Sequence, residues 1–340
     1  MRPGDADSDA VARVRRPVIA ARDRSGPERH PTRRLTPSVR RELGMRAAHS
    51  RMFQQDKVWS RYSNDKVDIA HTLARVIRTL DRSLPIDAAM TALSIGSSNE
   101  PQFRILESTF RGGLYLLDIE EAALDVVAER IERQGADRVV LVRGDYTRLL
   151  RDPAAARRFR ASWLGGRRMT LVTLHHSLYY SPRSAWGPLF EGLYREILVQ
   201  RARRQQGPAA AIHAVLMASG GDDPSTTTWL YNQFAGRFCG AHNDQDLGGF
   251  ARDLARDRRL GGARVCSKST RVDFFVDDFE RFMGVVWMIL LYPNVHHYTR
   301  AQMLEIIEHV YDRLWRRGVP LVQVQDHVVV YRGDGGEVLI

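Results

Sequence analysis

Cysteine, lysine and loop glycine are all scarce in this sequence, and each shortage excludes something. The chain of 340 residues has 2 cysteines, Cys239 and Cys266. That is too few for a disulfide framework or a cysteine metal cluster, and it fits a reducing cytoplasm. The longest apolar run, 282-FMGVVWMILLYP-293, falls short of the roughly 20 residues that a bilayer requires and reads as a buried helix. Arginines at the N-terminus have no apolar stretch behind them, so they do not read as a secretory signal. Of the 51 Lys and Arg residues only Lys57, Lys66 and Lys268 are lysine, a bias that a GC-rich coding genome explains more simply than phosphate binding. The net charge of +11 is also unevenly spread: residues 1–46 hold 12 arginines against 6 acids. The basic character therefore belongs mostly to a tail, which argues against nucleic acid as the main partner, as the short apolar runs argue against a membrane.

Glycine is missing where a dinucleotide would need it. The stretch 91-TALSIGSSNEPQF-103 reads as a strand, a tight turn and a helix, yet its turn carries only Gly96. A pyrophosphate needs several glycines, because the backbone must approach the phosphates and aim its N–H groups at them. Glu100 moreover puts negative charge at the mouth. Both features disfavour a dinucleotide and favour a cofactor without phosphate, such as S-adenosylmethionine.

What is present is an alternation of short apolar strands and amphipathic helices. The strands read 91-TALSIG-96, 114-LYLLD-118, 138-RVVLV-142, 169-MTLVTL-174 and 211-AIHAVLMA-218, with a last alternating strand at 321-LVQVQDHVVVY-331. Helical segments such as 120–134 and 186–202 lie between them. This predicts a Rossmann-like, doubly wound, mostly parallel α/β sheet with helices on both faces. Residues 1–34 lack apolar periodicity and are expected to be a disordered basic tail. Residues 35–85 form an N-terminal helical segment, in which Val67, Ala70, Leu73, Ala74, Ile77 and Leu80 share a face behind Asn64 as cap. Residues 86–340 form the cofactor domain, with helical cap elements at about 224–316.

In such a sheet, ligands bind beyond the carboxyl ends of the strands, where the strand order reverses. Gly96 ends the first strand, with Ser97, Ser98 and Glu100 in its loop. Asp118 ends the second strand, 22 positions on, where a carboxylate accepts ribose hydroxyls, and Ile119 follows it. Asp145 and Tyr146 follow the third strand, where a carboxylate can meet the adenine amino group, and Leu174 sits near the end of the fourth. Taken alone, each loop aspartate is as readily a turn or cap residue.

The order Gly96, Glu100, Asp118, Asp145 and then 172-VTLHHSLYY-180 resembles a class I methyltransferase dependent on S-adenosylmethionine, over about residues 60–335. Within that class the chain is most similar to the histamine N-methyltransferase type, through 93-LSIGSSNE-100, Leu178-Tyr179-Tyr180 and 215-VLMASGGDDPSTTTWLYNQF-234. The resemblance implies methyl transfer to nitrogen or oxygen of a small acceptor.

Candidate chemistry centres on 175-HHSLYY-180: one of His175 and His176 should face the site as proton acceptor, with Tyr179 or Tyr180 orienting the acceptor. Trp229 and Tyr231 after the fifth strand, and His296 and His297 in 292-YPNVHHYT-299, are candidate acceptor contacts, although core packing explains the aromatic residues equally simply. The paired histidines lack acidic or cysteine partners at ligand spacing, so no metal site is expected. No Asn/Asp-Pro-Pro-aromatic motif follows the fourth strand and no cysteine lies in its loop, which argues against methylation of bases. Two other readings stand beside the small-molecule enzyme: an RNA or protein methyltransferase docking through the basic tail, and a non-catalytic cofactor-binding scaffold.

Overall fold

The computed structural model describes residues 34–84, 89–96, 109–200, 207–291 and 296–333. The expected tail thus lies outside the described residues, as do Ser97, Ser98 and Glu100.

Three helices lead in: α1 (Pro37–Ala47), α2 (Met52–Tyr62) and α3 (Asp65–Ser83). The sheet strands are β1 (Thr91–Ile95), β2 (Gly113–Asp118), β3 (Val139–Arg143), β4 (Leu171–His175), β5 (Ala210–Met217), β6 (Ala263–Phe274) and β7 (Leu321–Arg332). Between them lie α4 (Glu121–Gln134), α5 (Tyr146–Leu149), α6 (Pro153–Trp163), α7 (Arg183–Gly192), α8 (Thr227–Cys239), α9 (Leu247–Arg256), α10 (Phe279–Leu291) and α11 (Arg300–Arg313). The strand order is β3-β2-β1-β4-β5-β7-β6. The first five strands are parallel, and β7 inserts antiparallel between β5 and β6. That order, with its reversed seventh strand, is the Rossmann-like fold of the class I methyltransferases.

One face of the sheet carries Leu93, Ile95, Val172, Leu174, Ile212 and Val330, packed under Phe159, Trp186, Phe190 and Phe250. The other carries Ala92, Leu114, Leu171, Ala211 and Val329 under α3. A third apolar cluster joins α8, α10 and α11 to the N-terminal helices around Trp59, Phe274, Phe282 and Trp287. The run 282–291 is the buried helix that its composition implies, and the indole N–H of Trp287 donates to the Gly44 carbonyl at 2.9 Å.

Three expectations change. The buried face of α3 is Asp65, Ile69, Thr72, Leu73, Val76, Ile77 and Leu80, and Val67 is 71% exposed. The apolar count misplaced this face because two of its members, Asp65 and Thr72, are polar. Asn64 precedes the helix as expected, but its side chain accepts from the Asp273 N–H of β6 at 2.8 Å rather than capping α3. Residues 224–316 are not a purely helical cap, because β6 lies within them and pairs with β7 along its length.

Candidate functional site

The strand order reverses between β1 and β4, so their carboxyl ends open the crevice where a ligand binds. β1 ends into Gly96, whose φ is +70° and whose N–H donates to the Leu117 carbonyl at 2.8 Å. A Cβ placed here would stand 2.6 Å from Ser177 Cβ. The β1 loop therefore passes the β4 loop too closely for any side chain, and glycine meets both the dihedral and the steric demand. Opposite, the Tyr146 hydroxyl donates to the Ser177 carbonyl at 2.6 Å, tying the third-strand loop to the same place.

Asp118, the last residue of β2, is 9% exposed, and its Oδ1 accepts from the Glu120 N–H at 2.9 Å. Ile119 beside it is 65% exposed, a large apolar side chain presented at the strand end. Asp145 takes the cap role: its Oδ1 accepts from the Thr147 N–H at 2.9 Å and hydroxyl at 2.6 Å, and its Oδ2 lies 3.4 Å from Arg148. Leu174 packs in the core on the face away from α3.

The two adjacent histidines separate as strand geometry requires. His175 turns into the sheet, 3% exposed, with Nε2 at 3.0 Å from His213 Nδ1. It does not stand at the mouth, because the buried imidazole on β5 is its partner. His176 leaves the strand at φ 54°, a conformation rarely taken by residues other than glycine and one that clusters at functional sites. Its Nε2 reaches Asp65 Oδ1 at 3.2 Å, and its ring lies parallel to that of Tyr179, with centroids 6.1 Å apart. Asp65 is fully buried at the first turn of α3, with Oδ2 3.6 Å from Lys66 Nζ. Burial alone would raise its carboxyl, but the charges of His176 and Lys66 and hydrogen bonds from His176 and Trp59 hold it well below the usual carboxylate range.

The Tyr179 hydroxyl accepts from the Met217 N–H at 2.9 Å, and burial pushes its phenol up. Tyr180 is 51% exposed, with its hydroxyl 3.8 Å from Met52 Sδ on α2. The loop after β4 thus faces the N-terminal helices α2 and α3. The other candidates form separate groups. Trp229 stacks on His309 within the helical cluster. The Tyr231 hydroxyl lies 2.9 Å from His296 Nε2, joining α8 to the segment before α11, and His297 is exposed. Among the described residues no group of three or more His, Cys, Asp or Glu is placed to hold a metal ion. No described helix is long and apolar enough to cross a membrane.

Sequence reasoning missed Asp65, Asp68, His213 and His327. Asp65 and Asp68 stand three apart on α3 and so share one helix face. A histidine inside the apolar strand 211–217 was the available signal for the second pair.

No protein-family model matches this chain, and no curated protein matches it. Among solved structures it is similar to the YcgJ protein of Bacillus subtilis, at 14% identity over 78% of this chain and 99% of that one, with a TM-score of 0.47. It is also similar to phosphoethanolamine N-methyltransferase 2 of Haemonchus contortus in complex with S-adenosyl-L-methionine, at 12% identity over 77% and 53%, with a TM-score of 0.42. An rRNA methylase of Streptococcus thermophilus aligns at 8% identity over 77% and 93%, with a TM-score of 0.37. Likeness at this level is one of outline, and the fold assignment rests on the strand order itself.

Proposed function

We propose that this protein transfers a methyl group from S-adenosylmethionine to a nitrogen of a small amine, with His176 as the base that removes the amine's proton. The observation that carries the reading is the pairing of His176 with buried Asp65 beside the switch point of a class I methyltransferase sheet.

The residues present fit the cofactor. Gly96 leaves the strand end bare where a Cβ would collide. In this reading Asp118 accepts the ribose hydroxyls, and Ile119, exposed beside it, would give the flat adenine an apolar surface. Asp145 contributes through the turn it caps, Tyr146 holds the Ser177 backbone, and Ser97, Ser98 and Glu100 complete the loop in this reading. Bound S-adenosylmethionine supplies an electrophilic methyl group on a sulfonium.

The chain's own part is alignment and proton removal. An amine is protonated near neutral pH and has no lone pair to attack with. The Asp65 carboxylate orients the His176 ring by accepting from Nε2–H, which leaves Nδ1 as the basic nitrogen, and it stabilises the imidazolium that forms. Tyr179 lies flat against that ring and fixes its plane. Tyr180, exposed at the rim, is placed to contact the acceptor, and the likeness of 178–180 and 215–234 to the histamine N-methyltransferase type favours an amine. Trp229, Tyr231, His296 and His297 would contribute acceptor contacts from α8 and the segment before α11.

Mass spectrometry after incubation with S-adenosylmethionine and a panel of amines, phenols and carboxylates tests this. The expected product is an amine heavier by one methylene; methylation of phenols or carboxylates alone would overturn the acceptor class.

A further inference from the structure

Three imidazoles lie in a row inside the sheet. His175 Nε2 is 3.0 Å from His213 Nδ1, His213 Nε2 is 3.2 Å from His327 Nδ1, and His327 Nε2 is 2.8 Å from Asp68 Oδ2. The row crosses β4, β5 and β7 on the face beneath α3, where Thr173 pairs in register with His213 and Val215 with His327. His213 and His327 are fully buried and His175 nearly so, while Asp68 is 17% exposed at the far end. Each contact joins an Nε2 to the Nδ1 of the next ring, so the chain has one direction from end to end.

That direction has a chemical consequence. A carboxylate only accepts, so His327 must carry its proton on Nε2. Its Nδ1 is then an acceptor, which requires Nε2–H on His213, whose Nδ1 in turn requires Nε2–H on His175. The Thr270 hydroxyl and the Gln325 amide also donate to Asp68 Oδ2, at 2.6 and 2.9 Å, and anchor it as an acceptor. Burial would raise Asp68, but the hydrogen bonds from His327, Thr270 and Gln325 bring it down to about 2.

We propose that Asp68, His327, His213 and His175 act as one charge relay, in which Asp68 fixes the tautomer of all three rings and a proton taken up at the β4 end is held as positive charge on His327. A proton entering at His175 Nδ1 releases the Nε2 proton to His213 Nδ1, and His213 releases its Nε2 proton to His327 Nδ1. Each N–H bond broken is matched by one formed. The doubly protonated ring is then His327, against the carboxylate, and the reverse hops return the proton. The groups facing the row are Asp68 of α3, Lys268 and Thr270 of β6 and Gln325 of β7. Burial first, with Lys268 adding to it, lowers both His213 and His327, so the relay holds a proton only transiently. The relay rests on the geometry of the row and not on the proposed function, in which the amine's proton goes to His176.

The test is long-range ¹H–¹⁵N NMR of the full chain labelled at histidine. The parent should show Nε2–H with bare Nδ1 on His175, His213 and His327, and on acidification His327 should show two protonated nitrogens before His213 does. Asp68→Ala should disturb the tautomer of all three rings, including His175 two rings away. If that variant does not fold, Asp68→Asn, whose amide offers His327 either a carbonyl or an NH₂, should populate both tautomers in each ring. A change confined to His327, or an Nδ1–H tautomer in the parent's His175 or His213, would overturn the relay, since a merely structural contact moves only its neighbour. No readout needs cofactor or acceptor, so a relay without methyl transfer and methyl transfer without a relay are separate outcomes.

Discussion

His176 Nε2 stands 3.2 Å from Asp65 Oδ1, which joins the loop after β4 to the first turn of α3. The contact spans 111 positions of sequence and makes the N-terminal helices part of the site. His176→Ala should lower turnover by about 10²–10⁴-fold with cofactor affinity near the parent's, because a positioned base is worth that range. Asp65→Asn should lower turnover less. Steady-state rates with the amine identified by the panel check both, and a parent-like rate for His176→Ala would remove the base.

His175→Ala should behave differently. Its ring is a buried hydrogen-bond partner, and removal takes away the partner of His213 Nδ1, at a cost of about 1–3 kcal/mol. Denaturant melts should therefore show a loss of stability while turnover stays near the parent's, whereas His176→Ala loses turnover. Parent-like stability of His175→Ala would contradict the placement of His175 inside the sheet.

The parallel sheet was legible because fully buried strands are short apolar runs, and β1, β2, β4 and β5 are such runs. β6 was not, because Ser267, Lys268, Ser269, Thr270 and Arg271 lie on a half-exposed edge strand that lacks an apolar signature. α9 was missed because Gly248 and Gly249 interrupt its helical pattern, although Leu247, Phe250, Ala251 and Leu254 do form a buried face. In β7 the alternation was visible, but nothing local marks Gln323, Gln325 and His327 as buried. They are buried, and partners distant in sequence, Asp68, Thr270 and His213, help make that burial tolerable. The positions of Gly96 and Asp118 at strand ends were legible because each follows a short apolar run; the Asp65 contact was not, since nothing local to residue 65 announces a loop at 176.

Gly96→Ala should both destabilise the protein and weaken cofactor binding. The left-handed φ of +70° costs an L-residue about 1–2 kcal/mol, and the new methyl meets Ser177 Cβ at 2.6 Å. Thermal melts with and without S-adenosylhomocysteine measure the two effects, and an unchanged Tm would contradict the close approach of the two loops.

Stability should fall with acidification. Burial, with neighbouring positive charge, lowers His213 well below its ordinary 6.5, and burial lowers His327 despite Asp68. A base whose folded pKa is depressed stabilises the fold above its unfolded value and loses that contribution as pH falls, because the unfolded chain then binds more protons. Below about pH 6.5 the two rings together should give a slope approaching roughly 3 kcal/mol per pH unit. Asp68, held at about 2 against 3.8, adds loss of the same sign below about pH 4. Denaturant melts at stepped pH check this, and a flat profile from pH 7 to 5 would contradict the neutral buried rings.

The central claim, a class I cofactor site at the ends of β1 and β2, is tested most directly by calorimetric titration of S-adenosylhomocysteine into the parent and Asp118→Ala. One site per chain is predicted in the parent, with affinity lower in the variant by about 10–100-fold, the loss of a charge-assisted hydrogen bond of roughly 1.5–3 kcal/mol. Equal affinity in a folded Asp118→Ala would contradict the ribose assignment, and binding of NAD with no response to S-adenosylhomocysteine would contradict the account as a whole.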